Sequence, residues 1–211
     1  MSTMTKHELE TALIDVRKAY RLLYAYQRRV MDTIKFIADT LSKNVQSGYA
    51  IYSGNAPKNG SRINLECWSW DWLNMYMYEF YFRDLNIGNN KIQFGIIVQA
   101  DTGAYDSDNV VIGTEIELFA SAELSETRVV FQLGKNRWKP EGYQDSKYFS
   151  SQSSSEFKLI DDVNTFFIAK SYPLSNLLDE NGTLTTLGDF IAFSNTMDVE
   201  GFFDESFIVK N

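Results

Sequence analysis

Leu9, Leu13, Val16, Tyr20, Leu23, Gln27, Val30, Ile34, Ile37 and Leu41 alternate at spacings of four and three residues, and nine of the ten are apolar. A repeat averaging about 3.5 residues keeps these side chains on one seam of an α-helix. No Pro or Gly interrupts residues 1 to 47, so nothing in the segment breaks the ladder. The chain is thereby committed to a long amphipathic helix, read as residues 1–43. Whatever follows must cover its seam or leave it to a partner.

The flanks of the seam shape that choice. Ala12, Ala19, Tyr26, Met31 and Ala38 stand beside it, where a free two-stranded coiled coil carries Glu and Lys. The resulting broad apolar arc predicts burial against the chain's own sheet at least as strongly as pairing with a second helix. Gln27, central in the seam, needs a hydrogen-bond partner within the chain or across an interface. Arg17, Arg21, Arg28 and Lys35 fall in one stripe at about 100° per residue. That stripe faces solvent or an acidic partner.

After the helix, residues 44–66 read as a connecting loop, because Gly48, Ser53-Gly54-Asn55, Pro57 and Asn59-Gly60 are the residues turns select. Residues 67–172 read as mainly antiparallel sheet. Trp68, Trp70, Trp72, Tyr76, Tyr78, Phe80 and Phe82 share one parity, the period of a strand with one aromatic face. A strand of that length exceeds ordinary dimensions, so a break is expected near Asn74, with the true strand at Met75 to Arg83. A turn at Leu85 to Asn90 leads into Lys91 to Ala100, an antiparallel partner. Further strands are expected at Val110 to Ala120, Thr127 to Leu133 and Asn164 to Tyr172, with a polar loop from Gly134 to Glu156. Residues 183–197 read as a helix capped by Thr185 or Thr186, and 198–211 as a final strand or docked tail. The expected fold is one α+β domain over residues 1–211: a long N-terminal helix on an antiparallel sheet of about five strands, with a short C-terminal helix.

Several chemistries lack their residues. One histidine, His7, and one cysteine, Cys67, leave no Cys-His or Ser-His-Asp constellation and too few soft ligands for a zinc site. Cys67 reads as a small buried residue and His7 as a solvated terminal one. The N-terminus lacks a basic stretch followed by an apolar one, and no apolar run reaches the ~18 to 20 residues of a membrane span. A cytoplasmic protein that needs no membrane is expected. Net charge is −8, with eight basic against five acidic residues in 1–50 and 12 against 23 in 51–211. Such a balance argues against direct nucleic-acid binding, which depends on basic neutralisation of phosphate.

Weaker candidates remain. Asp101, Asp106 and Asp108 crowd one segment and could hold a hard cation, although the EF-hand spacing is absent. Glu156-Phe157-Lys158 imitates the Glu-x-Lys element of metal-dependent nucleases, and Glu115 with Glu117 could form a carboxylate pair. Trp68, Trp70 and Trp72 could stack on sugars or anchor a protein interface. Without a motif for cofactor binding, no cofactor is expected. The leading expectation is a non-enzymatic binding or regulatory protein that acts through self-association or a protein partner, with Arg17, Arg21, Gln27, Arg28 and the tryptophans as interaction candidates. An acidic inhibitor mimicking nucleic acid is one form of it. The alternatives are a carboxylate-dependent, metal-assisted hydrolase and a carbohydrate-binding module.

Overall fold

The computed structural model describes residues 5–50, 77–103, 116–139, 156–197 and 202–203. Helix α1 runs Lys6–Thr40, 35 residues, and both its ends are set by local chemistry. At the start, Thr5 and Glu8 form a reciprocal capping box: the Thr5 amide donates to the Glu8 carboxylate (2.7 Å) and the Glu8 amide to Thr5 Oγ1 (3.3 Å). At the end, Ser42 turns into the left-handed region (φ 51°), and Lys43 N–H reaches Ala38 O (2.9 Å) while Ser42 N–H reaches Asp39 O (3.1 Å). This pair of bonds is a Schellman closure built on Ser rather than Gly.

Among the described residues the sheet contains seven strands: β1 (Val45–Ala50), β2 (Met77–Phe82), β3 (Leu85–Ile87), β4 (Asn90–Gln99), β5 (Arg128–Lys135), β6 (Glu156–Asp162) and β7 (Thr165–Pro173). Its main path is β1-β2-β4-β5-β7-β6, with β3 pairing back on β4. Every strand pairing is antiparallel. Gly88 (φ 59°) makes the tight turn that sets Ile87 opposite Asn90. The edge strand β6 carries Lys158, Asp161 and Asp162 among exposed or half-buried neighbours, charges that discourage edge-to-edge association.

Cross-strand register sorts the side chains. Phe80, Ile96 and Phe131 form one row, Phe94, Leu133 and Ile168 another, and Val98, Val129 and Tyr172 a third. All lie in a single buried cluster with Val30, Ile34, Ile37 and Leu41 of α1 and with Leu187, Phe190 and Ile191 of α2 (Glu180–Asn195). Both helices therefore cover the same face. Phe94 stands at its centre, with ring centroids of Phe82 at 4.9 Å and of Phe190, Phe202 and Phe203 at 6.0 to 6.1 Å.

The α+β architecture agrees with the sequence reading, but several elements differ. Residues 45–50, expected within a loop, form β1, because β2 offers an open edge and backbone hydrogen bonding overrides the low strand propensity of Ser47-Gly48. Gly48 fits that pairing closely: a Cβ there would meet Glu79 O and the Tyr78 ring at 2.9 Å. Leu85–Ile87, expected as turn, is β3. Glu156–Asp162, which begins at the last residue of the expected polar loop and otherwise carries no expected element, is β6, whose hairpin to β7 is tightened by the Asn164 amide donating to Asp162 Oδ1 (2.7 Å). The strand expected to end at Ala120 is absent from its described part, where Ile116–Leu118 makes a single exposed 3-10 turn. Residues 110–115 of that expectation lie outside the described residues. Helix α2 starts earlier than expected, because Asp179 rather than Thr185 or Thr186 caps it by accepting from Gly182 N–H (2.7 Å). Thr186 is buried in mid-helix.

Ile37 has no exposed surface, whereas Leu22 is 71% exposed. Ile37→Ala is expected to lower unfolding free energy by about 2–5 kcal/mol in urea titration, and Leu22→Ala to change it by less than about 0.5 kcal/mol.

Candidate functional site

The seam of α1 is divided. Val30, Ile34, Ile37 and Leu41 are 0–8% exposed, yet Leu9, Leu13, Val16, Tyr20 and Leu23 are 45–63% exposed. From Thr5 to Ala25 every residue is exposed except Ala12, which is half-buried. The first half of the helix thus stands clear of the body, about 30 Å of it at 1.5 Å per residue. Tyr24, also exposed, borders this row, while the exposed Ile14 and Leu22 lie on the far side of the helix at about 100° per residue. Scattered apolar side chains are ordinary on a protein surface, whereas here five seam positions in succession, Leu9 to Leu23, are uncovered.

Its charges are ordered along the axis. Glu8, Glu10 and Asp15 occupy the outer turns, and Arg17, Lys18 and Arg21 follow. Lys6 sits 3.8 Å from Glu10 and Lys18 3.0 Å from Asp15, in pairs with side-chain exposures of 61–90%. Exposed pairs of this kind contribute little and exchange partners readily. Arg17, Arg21 and Arg28 are all exposed, and Gln27 is half-buried one turn before Val30. Gln27 therefore marks the boundary between the covered and uncovered seam.

A cleft of about 530 Å³ lies where α1 leaves the body, lined by Tyr26, Arg29 and Thr33 on one side and by residues such as Glu126, Thr127, Pro173 and Leu177 on the other. Arg29 Nη2 donates to Leu177 O (3.2 Å) and closes one end. The Tyr26 hydroxyl is buried without a hydrogen-bond partner among the described residues. Burial alone pushes its pKa from 10.0 up to about 12.

The opposite face of the sheet holds the strongest cluster of ionisable groups. Glu79, with no exposed surface, meets Lys139 Nζ in an ion pair. It also accepts from Tyr81 Oη (2.8 Å) and Gln132 Nε2 (3.1 Å). Burial pulls the Lys139 pKa below its ordinary value, offset only in part by the charge of Glu79 and the hydrogen bond to it. Trp138 packs on Phe167 and Tyr81 at centroid distances of 5.6 and 5.9 Å. Its ring crosses Gly95, where a Cβ would stand 3.1 Å from it. Asn136 fixes the start of this strap by hydrogen bonds with Lys91, Asn90 and Asn164. A carboxylate, a lysine and a phenol together could serve acid–base chemistry, but here they face one another and Glu79 is sealed from solvent. Their physical role is to pin residues 136–139 to the sheet.

A third cluster joins α2 to the sheet. Asp189 Oδ2 accepts from Lys170 Nζ (2.7 Å) and Tyr172 Oη (2.7 Å), and Lys170 also meets Glu156 at 3.1 Å. Burial pushes Asp189 up, yet the bonds from Lys170 and Tyr172 and the lysine charge outweigh it and hold the carboxyl below its usual range. Burial likewise pulls Lys170 down, and its two carboxylate partners more than reverse the effect.

Those metal and nuclease candidates that fall within the described residues make local or structural contacts or lie on an exposed turn. Asp101 Oδ1 accepts from Gly103 N–H (2.7 Å), a local turn, and Asp106 and Asp108 lie outside the described residues, as do Glu115, Cys67, Trp68, Trp70 and Trp72. Glu117 sits on an exposed 3-10 turn. Glu156 pairs with Lys170, and Lys158 Nζ lies 4.5 Å over the Phe193 ring. Among the described residues no three His, Cys, Asp or Glu side chains gather as a metal site, and no helix is long and apolar enough to cross a membrane. The Glu79 cluster escapes sequence reasoning because its members are distant along the chain. Its one visible signal is Glu79 within the aromatic run of β2.

Residues 6–198 match the PM0109 family, and the chain belongs to it. A similar protein, the uncharacterized protein PM0109 of Pasteurella multocida (strain Pm70), is 54% identical over 39 residues, 18% of this chain and 19% of that relative. The match thus spans about one fifth of the relative's length. No solved structure matches.

Two substitutions probe the buried groups. Tyr26→Phe removes an unpaired hydroxyl and is expected to leave stability at pH 7 unchanged or raised by about 1 kcal/mol. In the wild type the unfolded chain ionises Tyr26 near pH 10.0 while the folded one resists to about 12. Folding is therefore weakened as pH rises through that window, by at most about 2–3 kcal/mol. The variant is expected to lose that share of alkaline sensitivity in urea titrations at pH 9 and 11.5. Lys139→Met leaves the Glu79 charge uncompensated and is expected to cost about 3–5 kcal/mol. The Glu79→Gln/Lys139→Met double variant recovers part of the loss in the same measurement.

Proposed function

For this member of the PM0109 family, we propose a protein–protein interaction role exercised through the projecting half of α1. The observation that carries it is the split seam: one continuous heptad pattern is buried from Val30 to Leu41 and uncovered from Leu9 to Leu23. A helix displays its own apolar row to water at a continuing cost, and docking that row removes about 25 cal/mol for each Å² of apolar surface covered. Recognition of an amphipathic helix through anchors at i, i+3, i+4 and i+7 is a general mode of docking. Leu9, Leu13, Val16, Tyr20 and Leu23 are the anchors in this reading. Arg17 and Arg21 flank them and select acidic groups on whatever docks.

The alternative activities suggested by the sequence find less support. Asp101 is spent on a local turn, Glu117 lies on an exposed 3-10 turn, and the best-formed cluster, around Glu79, is sealed from solvent with the carboxylate held by Lys139, Tyr81 and Gln132.

Leu13→Asp/Leu23→Asp places two charges on the exposed row without touching the core. Cross-linking in native cell extract, followed by sedimentation, is expected to show an assembly heavier than one chain for the wild type and its loss in the double variant. Matching circular dichroism and thermal melts verify that both fold. Identical sedimentation of the two proteins overturns the docking role.

A further inference from the structure

We propose that the partner of this projecting segment is a second copy of the same chain, paired antiparallel to it; the inference rests on the docking role proposed above. Three observations select this occupant. The first is charge order. Glu8, Glu10 and Asp15 precede Arg17, Lys18 and Arg21 along the axis, so two antiparallel copies set the acidic end of each against the basic middle of the other. In a parallel pair Glu10 and Arg17 face the partner's Thr5 and Ala12 and find no opposite charge across the seam. Complementary charges beside an apolar seam fix orientation.

The second is register. Placing Leu13 against the partner's Val16 sets Leu9 against the partner's Tyr20, and the two-fold axis repeats both layers. In that register Glu10 falls beside the partner's Arg17, and the symmetric pair forms at the other end. On the opposite flank Ala12 falls beside the partner's Ala19, so small residues meet where the helices come closest. The Ala12 and Ala19 flank, anomalous for a charged parallel zipper, is accounted for. The weak contact of Glu10 with Lys6, 3.8 Å and highly exposed, does not compete with a pair formed at the rim of an apolar seam.

The third is span. In this register Lys6 lies opposite the partner's Leu23. The overlap then uses the uncovered seam and stops where Gln27 and Val30 enter the body. No part of one body is required to occupy the space of the other, and a two-fold pairing closes without leaving a second sticky face.

Charge exchange tests the arrangement. Sedimentation equilibrium of the purified full chain in low salt is expected to give a dimer for the wild type. Glu10→Arg and Arg17→Glu, each creating two like-charge contacts, are expected to weaken dimerisation at least tenfold. Glu10→Arg/Arg17→Glu together restore it to within about threefold of wild type. Both positions of substitution are exposed, and matching melts of the dilute monomers verify folding. Failure of the double variant to recover overturns the antiparallel register, and a dimer indifferent to all three variants overturns the surface. A wild type that stays monomeric up to 100 μM overturns self-pairing. If the extract experiment above still finds an assembly that depends on Leu13 and Leu23, the docking role survives with a different protein as partner.

Discussion

The rest of the structure depends on a mismatch of lengths. A helix of 35 residues is about 52 Å long at 1.5 Å per residue. The six-strand path of the sheet spans only about 24 Å across at roughly 4.8 Å per strand interval. No placement lets the sheet cover all of α1. The seam must be shared between the chain's own core and the outside, and the handover falls where Gln27 replaces an aliphatic residue. With no Pro or Gly to bend it, the helix cannot fold its outer half back over the body. Fold and exposed surface follow from the same uninterrupted repeat.

The two faces of the sheet solve different problems. The helix-bearing face is apolar and packed around Phe94, which joins β2, β5, α2 and the pair Phe202-Phe203 through ring contacts. The other face buries a charge. Glu79 there is compensated by Lys139, Tyr81 and Gln132 at once, and only a segment with an unusual backbone can bring the lysine in: Asn136 and Lys139 both have positive φ, 53° and 47°. An apolar pair in place of Glu79 and Lys139 would pack as well, so the ionic choice serves position more than stability. It dictates which residues of the strap face the sheet.

The long helix and the strands β2, β4, β5 and β7 were legible because their periodicity is strong and their burial is one-sided. Tyr78, Phe80 and Phe82 read as one face and are one face. The strands that escaped notice, β1, β3 and β6, are short or lie at an edge, where pairing with a neighbour decides the conformation and local propensity does not. For the strand expected at Val110 to Ala120, only residues 116–120 are described, and there alternation alone does not hold an extended conformation: Ile116–Leu118 makes an exposed 3-10 turn. Of the candidate site, the anchors Leu9 to Leu23 were visible in the sequence as a seam. Which half of that seam stays uncovered was not, since it depends on the size of the sheet. Gln27 posed the question of an internal or external partner, and its place at the boundary explains why the pattern alone left both open.

The close fit of Trp138 over the sheet also bears on how members of the family can diverge. A side chain at Gly95 would press on the indole, whereas at Gly134 it would collide with the Arg137 carbonyl oxygen, 2.0 Å from a Cβ. A Cβ at either would lie 3.1 Å from the indole, but only at Gly134 does a backbone carbonyl set the tighter limit. In relatives where the tryptophan gives way to a smaller residue, position 95 is released to vary with it as a linked pair. Position 134 stays glycine for as long as the backbone of the strap keeps its course, so the two positions should carry distinct signatures of drift across the lineage.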